Sequence, residues 1–129
     1  MKFARVVFSV AGVYGLVVLL PQYFLIEKNG HDFPPAITHA EYYYGFIGVA
    51  VAWQIAFLVL AKDPARYRLL MLPAVVEKAG FGIAACVLYM LGRLSIPLFV
   101  AGIIDLVLGL LFGMAYRLTP SESKPTVPQ

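Results

Sequence analysis

With 129 residues, 61% of them hydrophobic and 13% charged, the chain carries too little charge to coat a water-facing surface, since a soluble domain uses about a quarter charged residues. Its net charge of +3 is spread along the sequence, a pattern of membrane flanks rather than a nucleic-acid footprint. One cysteine, Cys86, falls inside an apolar run, which excludes an internal disulfide, a CxxC redox motif and a cysteine metal cluster and leaves it a small packing residue.

The first apolar run covers 3–25. Lys2 and Arg5 ahead of it resemble a signal peptide, but Leu19, Leu20, Pro21, Gln22 and Tyr23 offer no small-x-small cleavage site, so a retained helix is expected. A connection over 26–37 follows, with Asn29-Gly30 and Pro34-Pro35 as turn signals. The second run, 38–61, opens on Thr38-His39-Ala40-Glu41, a capping box in which Thr38 caps and Glu41 reaches back to its amide. Gly45, Gly48, Ala52 and Ala56 share a stripe with Glu41, the expected close-packing face, which would place Glu41 at the top of a vestibule. Asp63-Pro64 reads as a helix start with aspartate as cap. The third run is 69–92, with Pro73 marking a start or a kink, and the fourth is 96–118. Gly92 to Pro97 is so short that the last two runs must be antiparallel neighbours.

Each run has about the 20 residues that ~30 Å of hydrocarbon requires at ~1.5 Å per residue. The predicted fold is all-α, a four-helix transmembrane bundle of antiparallel up-down topology over 1–118, with a disordered cytoplasmic tail over 119–129 that carries three prolines. Lys2, Arg5, Lys62, Arg66, Arg68, Arg117 and Lys124 fall on one side, and only Lys28 and Arg93 on the other. That asymmetry predicts cytoplasmic termini in a bacterial inner membrane. Tyr23, Tyr42, Tyr43, Tyr44 and Tyr89 then form an aromatic belt at the outer interface.

Ionisable groups inside a span cost roughly 2.5–3.5 kcal/mol at its centre, so each needs a partner or a role. Asp105 lies near mid-membrane with Ala101, Gly102, Gly109 and Gly113 within about 80° of it on a helical wheel. The Gly109/Gly113 pair has GxxxG spacing, which places Asp105 on a packed face. It reads either as a packing carboxyl hydrogen-bonded to Tyr14, level with it on the first span, or as a ligand-binding or proton-exchanging group. Glu77 and Lys78 sit about a third of the way along the third span, level with Trp53 and Gln54 of the second. Together they predict a polar layer. A direct Lys78–Asp105 bridge is not expected: a depth offset of ~7 Å separates them, and Lys78 is predicted to snorkel toward the cytoplasm. His31 and His39 lack i,i+4 spacing, so neither a metal nor a haem is predicted, and no other cofactor. No nucleotide-binding glycine loop, Ser-His-Asp set or HExxH occurs, and an enzyme is not the favoured reading.

The stretch THAEYYYGFIGVAVAWQIAFLVLAKDPARYR from Thr38 to Arg68, followed by PAVVEKAGFG, resembles a group of small uncharacterised bacterial membrane proteins. In length, helix count and loop placement the chain more distantly resembles the DoxX-like four-helix membrane proteins. No activity carries over with that resemblance. Carboxylates inside a bundle are also a feature of some four-span proteins of the emopamil-binding type, which bind or isomerise sterols.

Three functions fit these residues. The favoured one is a small scaffold or accessory subunit, whose partners are membrane lipids and a second copy of the chain or a larger membrane complex, with no nucleic acid. The second is a binder or enzyme for a lipophilic ligand, with Asp105, Glu77, Gln54, Trp53, Tyr14, Lys78 and Glu41 as candidate binding residues. The third is a proton-coupled carrier acting as a dimer, for which inverted repeats and broken spans would be expected. A filled cavity reaching Asp105 would favour the second, and a tightly packed core the first.

Overall fold

The computed structural model describes residues 2–121. Most of the tail expected to be disordered therefore lies outside the described residues. Four long helices, α1 (Lys2–Leu19), α3 (Ala40–Lys62), α4 (Met71–Met90) and α5 (Ile96–Leu118), make an all-α up-down bundle, with a short α2 (Ile26–Asp32) between the first two. With their flanking 3₁₀ turns, four segments are long and apolar enough to cross a membrane.

Pro21 ends the first helix early. It opens a 3₁₀ turn, Leu20–Phe24, that carries the chain into α2, because proline cannot donate to the helical ladder. A helix at α2 departs from the turn expected around Asn29-Gly30. An i,i+4 pair supports it, Lys28 Nζ standing 2.6 Å from Asp32 Oδ2. This ammonium, with a smaller contribution from His31, holds the Asp32 carboxyl below its usual range. At the other turn α4 ends at Met90, and two residues on Gly92 takes the left-handed φ of 71°. Arg93 N then donates to Leu88 O at 2.8 Å, satisfying a carbonyl at the helix end.

The capping box does not form. Helix α3 starts at Ala40 with His39 in the cap position and no side-chain cap bond, and Glu41 pairs with His39 Nδ1 at 3.1 Å instead. A ring two residues away offers that carboxylate a nearer partner than the Thr38 amide. The Asp63-Pro64 signal makes a turn and not a helix. Asp63 Oδ1 accepts from Arg66 N at 3.4 Å, and a 3₁₀ turn, Arg68–Leu70, leads into α4. Pro73 stands in the first turn of α4, where its missing N–H costs nothing.

Helices pair as α1 with α3 and as α4 with α5, while α3 and α4, though consecutive, barely touch. Small residues make both pairings close. A Cβ on Gly12 would meet the Leu58 side chain, and one on Gly82 the Leu106 side chain. The stripe of Gly45, Gly48, Ala52 and Ala56 is not the packed face of α3, since Gly45, Gly48 and Ala52 are exposed. The buried face runs through Ile47, Ala50, Gln54, Phe57 and Leu60. Large side chains fill that face better than a glycine stripe would, and burial follows the contact they make. Gly113 likewise has nothing within 4 Å of its would-be Cβ, so only Gly109 of the GxxxG pair packs.

The two pairs join at the end where α1 begins and α5 finishes. There Phe8 stacks on Phe112 with centroids 4.2 Å apart, and Phe57 meets Phe112 edge-on at 5.0 Å. Ala4, Ala11, Met71, Ala74 and Ala115 close round this trio. Two arginines tie the same end: Arg5 Nη1 donates to Lys62 O at 3.0 Å, and Arg68 Nε to Thr119 O at 2.7 Å and to Tyr116 O at 3.1 Å. Both cap the C-terminus of a neighbouring helix, whose last carbonyls lack intrahelical donors. Toward the other end the pairs diverge.

Candidate functional site

The divergence leaves a cavity of about 680 Å³ between the pairs, within the range of small-molecule sites. Its blind end holds six of the seven side chains singled out from the sequence: Tyr14 from α1, Trp53 and Gln54 from α3, Glu77 and Lys78 from α4, and Asp105 from α5. The seventh, Glu41, lies apart on the surface, 68% exposed at its side chain, which removes the vestibule reading along with the cap.

Lys78 is the centre of the group. Its ammonium stands 3.5 Å from Asp105 Oδ1 and 3.6 Å from Glu77 Oε2, and 5.4 Å above the Phe57 ring. The residue is only 3% exposed, so it does not snorkel, and the bridge to Asp105 forms. Two physical features overturn the sequence expectation. A Cβ on Gly109 would lie 3.4 Å from Lys78 Cβ, so α4 and α5 run close enough for the four-carbon lysine stem to climb one turn, ~5.4 Å, to Asp105. On the side of the terminal end the ammonium faces the Phe57 ring, 5.4 Å away, so that route leads into the aromatic trio. No hydrogen bond joins Tyr14 to Asp105 among the described residues; the two share the cavity wall without pairing.

Gln54 is 1% exposed and donates to Ala50 O at 3.0 Å. Its Oε1 and Glu77 Oε2 have no hydrogen-bond partner among the described residues. Such buried acceptors are uncommon in folded proteins and call for a donor. Gly15 makes room for the Gln54 amide, which a Cβ at that position would strike. The pairing of a glycine on one span with a glutamine on another carries no periodicity, so sequence reasoning passed Gly15 by.

Above this polar group the walls turn apolar, through Val18 and Leu19, Ile47 and Ala50, and Leu98 and Ala101. At the far end stands a second polar cluster. Tyr43 OH donates to Gln22 O at 2.6 Å, and Asn29 Nδ2 donates to Gln22 Oε1 at 2.6 Å and to Tyr43 OH at 2.9 Å. This clasp joins the 3₁₀ turn, α2 and α3, and all three residues line the cavity. Phe46 and Val49 of α3 and Phe81 of α4 line it too and are exposed, at a place where α3 and α4 barely touch. The cavity is therefore open sideways, between α3 and α4, where a bilayer would lie.

His31 and His39 take separate neighbours, Asp32 and Glu41, and no group of three potential metal ligands occurs among the described residues. Compared with family models, curated proteins and solved structures, the chain finds no match.

Proposed function

We propose that the chain is a multi-pass protein of a bacterial inner membrane, of DoxX-like layout with cytoplasmic termini, that binds a lipophilic ligand inside the bundle. One observation carries this: the apolar-walled cavity ends on Lys78 flanked by two carboxyl groups, Glu77 and Asp105. A bundle serving only as a scaffold gains nothing from leaving such groups beside a void, because buried ionic groups are weak stabilisers and an empty cavity forfeits packing. A few convergent polar groups in an apolar pocket are what ligand sites use to fix orientation. The Asp105 and Glu77 carboxyl groups accept hydrogen bonds, so the ligand's polar end is a donor, such as a hydroxyl. Its apolar body lies along Ile47, Ala50 and Leu98.

Trp53 is the only tryptophan of the chain and lines the cavity. Its emission therefore reports occupancy. Titrating the purified protein in micelles with 1-dodecanol should give a saturable change in emission. Ala101→Phe, which fills the apolar wall, should abolish saturation, and Asp105→Leu should weaken binding about threefold or more, one intramembrane hydrogen bond's worth. Asp105→Asn, which keeps an acceptor and a donor, should bind nearly as the parent does. A saturable response indifferent to Ala101→Phe would overturn the reading.

A further inference from the structure

We propose that the ligand is bipolar: a lipophile with a hydrogen-bonding group at each end, which reaches the site from the bilayer through the gap between α3 and α4. The inference rests on the binding reading above and specifies the class of molecule. One cavity connects two polar stations, the Lys78 group at its blind end and the Gln22–Asn29–Tyr43 clasp at the other, and the wall between them is apolar. Tyr43 and Gln54 belong to the same helix α3, eleven residues apart, so the stations are separated by ~16 Å along it.

A one-headed amphipath satisfies one station and lays hydrocarbon against the other. If its head takes the interfacial clasp, as its normal orientation in a bilayer favours, its tail ends on Lys78, Glu77 and Asp105. If it enters inverted, its tail ends on the clasp. Polar groups faced with hydrocarbon are costly in either case. A molecule with a polar group at each end and ~16 Å between them matches the helical rise from Tyr43 to Gln54 and meets neither mismatch.

The clasp has capacity for a ligand. The bonds among its members use Asn29 Nδ2, the Tyr43 hydroxyl and the Gln22 oxygens. Asn29 Oδ1 takes no bond among the described residues and can accept one from a hydroxyl. At the other station Asp105 and Glu77 keep 16% and 19% of their side-chain surface exposed, so a donor can reach them. Access is lateral: the clasp and α2 stand at the far end, whereas the exposed Phe46, Val49 and Phe81 line the cavity where α3 and α4 barely touch.

The test uses the full chain in micelles, Trp53 emission, and three probes dosed by mole fraction in the micelle: 1,12-dodecanediol, 1-dodecanol and 1,6-hexanediol. Dodecanediol should bind about threefold to tenfold more tightly than dodecanol, the worth of one or two intramembrane hydrogen bonds. Hexanediol, too short to span the stations, should show no such advantage. Tyr43→Phe, which removes one hydroxyl and keeps the ring, should bring dodecanediol down to the level of the monoalcohol. Because that variant could loosen α2, Lys28→Ala, which removes the Lys28–Asp32 pair supporting α2 and leaves the cavity lining unchanged, is measured beside it and should retain the preference for the diol. Saturable binding in which dodecanol equals or exceeds dodecanediol would overturn the bipolar inference and leave the binding reading standing. No saturable binding of any probe would overturn both.

Discussion

Single side chains decide whether this bundle is solid or hollow. Lys78 illustrates how: its depth in the span suggested a snorkelling lysine, yet a glycine at position 109 of the neighbouring helix lets its stem lie flat and rise toward Asp105. Gly15 acts in the same way for Gln54. Gly15→Ala should destabilise the protein by about 1–3 kcal/mol, the usual cost of an overpacked contact. In the Gly15→Ala/Gln54→Ala double variant much of that loss should return, because the colliding amide is gone. Unfolding in mixed micelles measures the cycle, and strictly additive losses would mean that the two residues do not meet.

At the scale of elements, the ends of helices departed most from expectation. Thr38 and Glu41 have the spacing of a capping box, but the cap position falls on His39 and no side-chain cap forms. Thr38→Ala should therefore change stability by no more than ~0.5 kcal/mol, as ordinary surface substitutions do. Arg68 is the contrasting case. Read from the sequence as one of several topology charges, it donates to two carbonyls at the end of α5 and lies over the Tyr116 ring at 3.8 Å. Arg68→Ala should cost about 1–3 kcal/mol, since charged hydrogen bonds are among the stronger ones. Arg68→Lys should recover little, because a lysine cannot keep both the planar stacking and the Nε geometry. Thermal unfolding of the three variants side by side distinguishes a structural cap from a solvated charge.

The whole molecule is two helical hairpins, closed at one end by aromatic side chains and spread at the other. The start of α1, the end of α5 and the connection between α3 and α4 lie at the closed end, with α2 and the turn at Gly92 at the open one. The proposed topology, drawn from the distribution of Lys and Arg, would put the closed end in the cytoplasm. Reporter fusions after Arg68 and after Pro120 should both register the cytoplasm, and a fusion near Asn29 the outer side. An outward-facing reporter after Pro120 would reverse the assignment and place the clasp at the inner surface.

Much of this was legible in the sequence, because it depends on local composition and on distance along the chain. Runs of about 20 apolar residues must be helices in a solvent that offers no hydrogen bonds, and a connection as short as Gly92 to Pro97 forces its helices side by side. Counting residues inward from the loops put Trp53 and Gln54 level with Glu77 and Lys78, and Tyr14 level with Asp105, but it left an offset of ~7 Å between the two sets. Whether these groups would close on one another or surround a space was a different kind of question. It depends on which helices pair, and α3 chose α1 over its neighbour in sequence, α4. The stripe of Gly45, Gly48 and Ala52 promised a packed face and is exposed, while the bulky Ile47 and Phe57 are buried. Hydropathy cannot separate these outcomes, since every face of a span is apolar, toward lipid and toward protein alike. Only side-chain shape across the helix pairs, large rings at one end and divergence at the other, decided that the polar group should face a cavity.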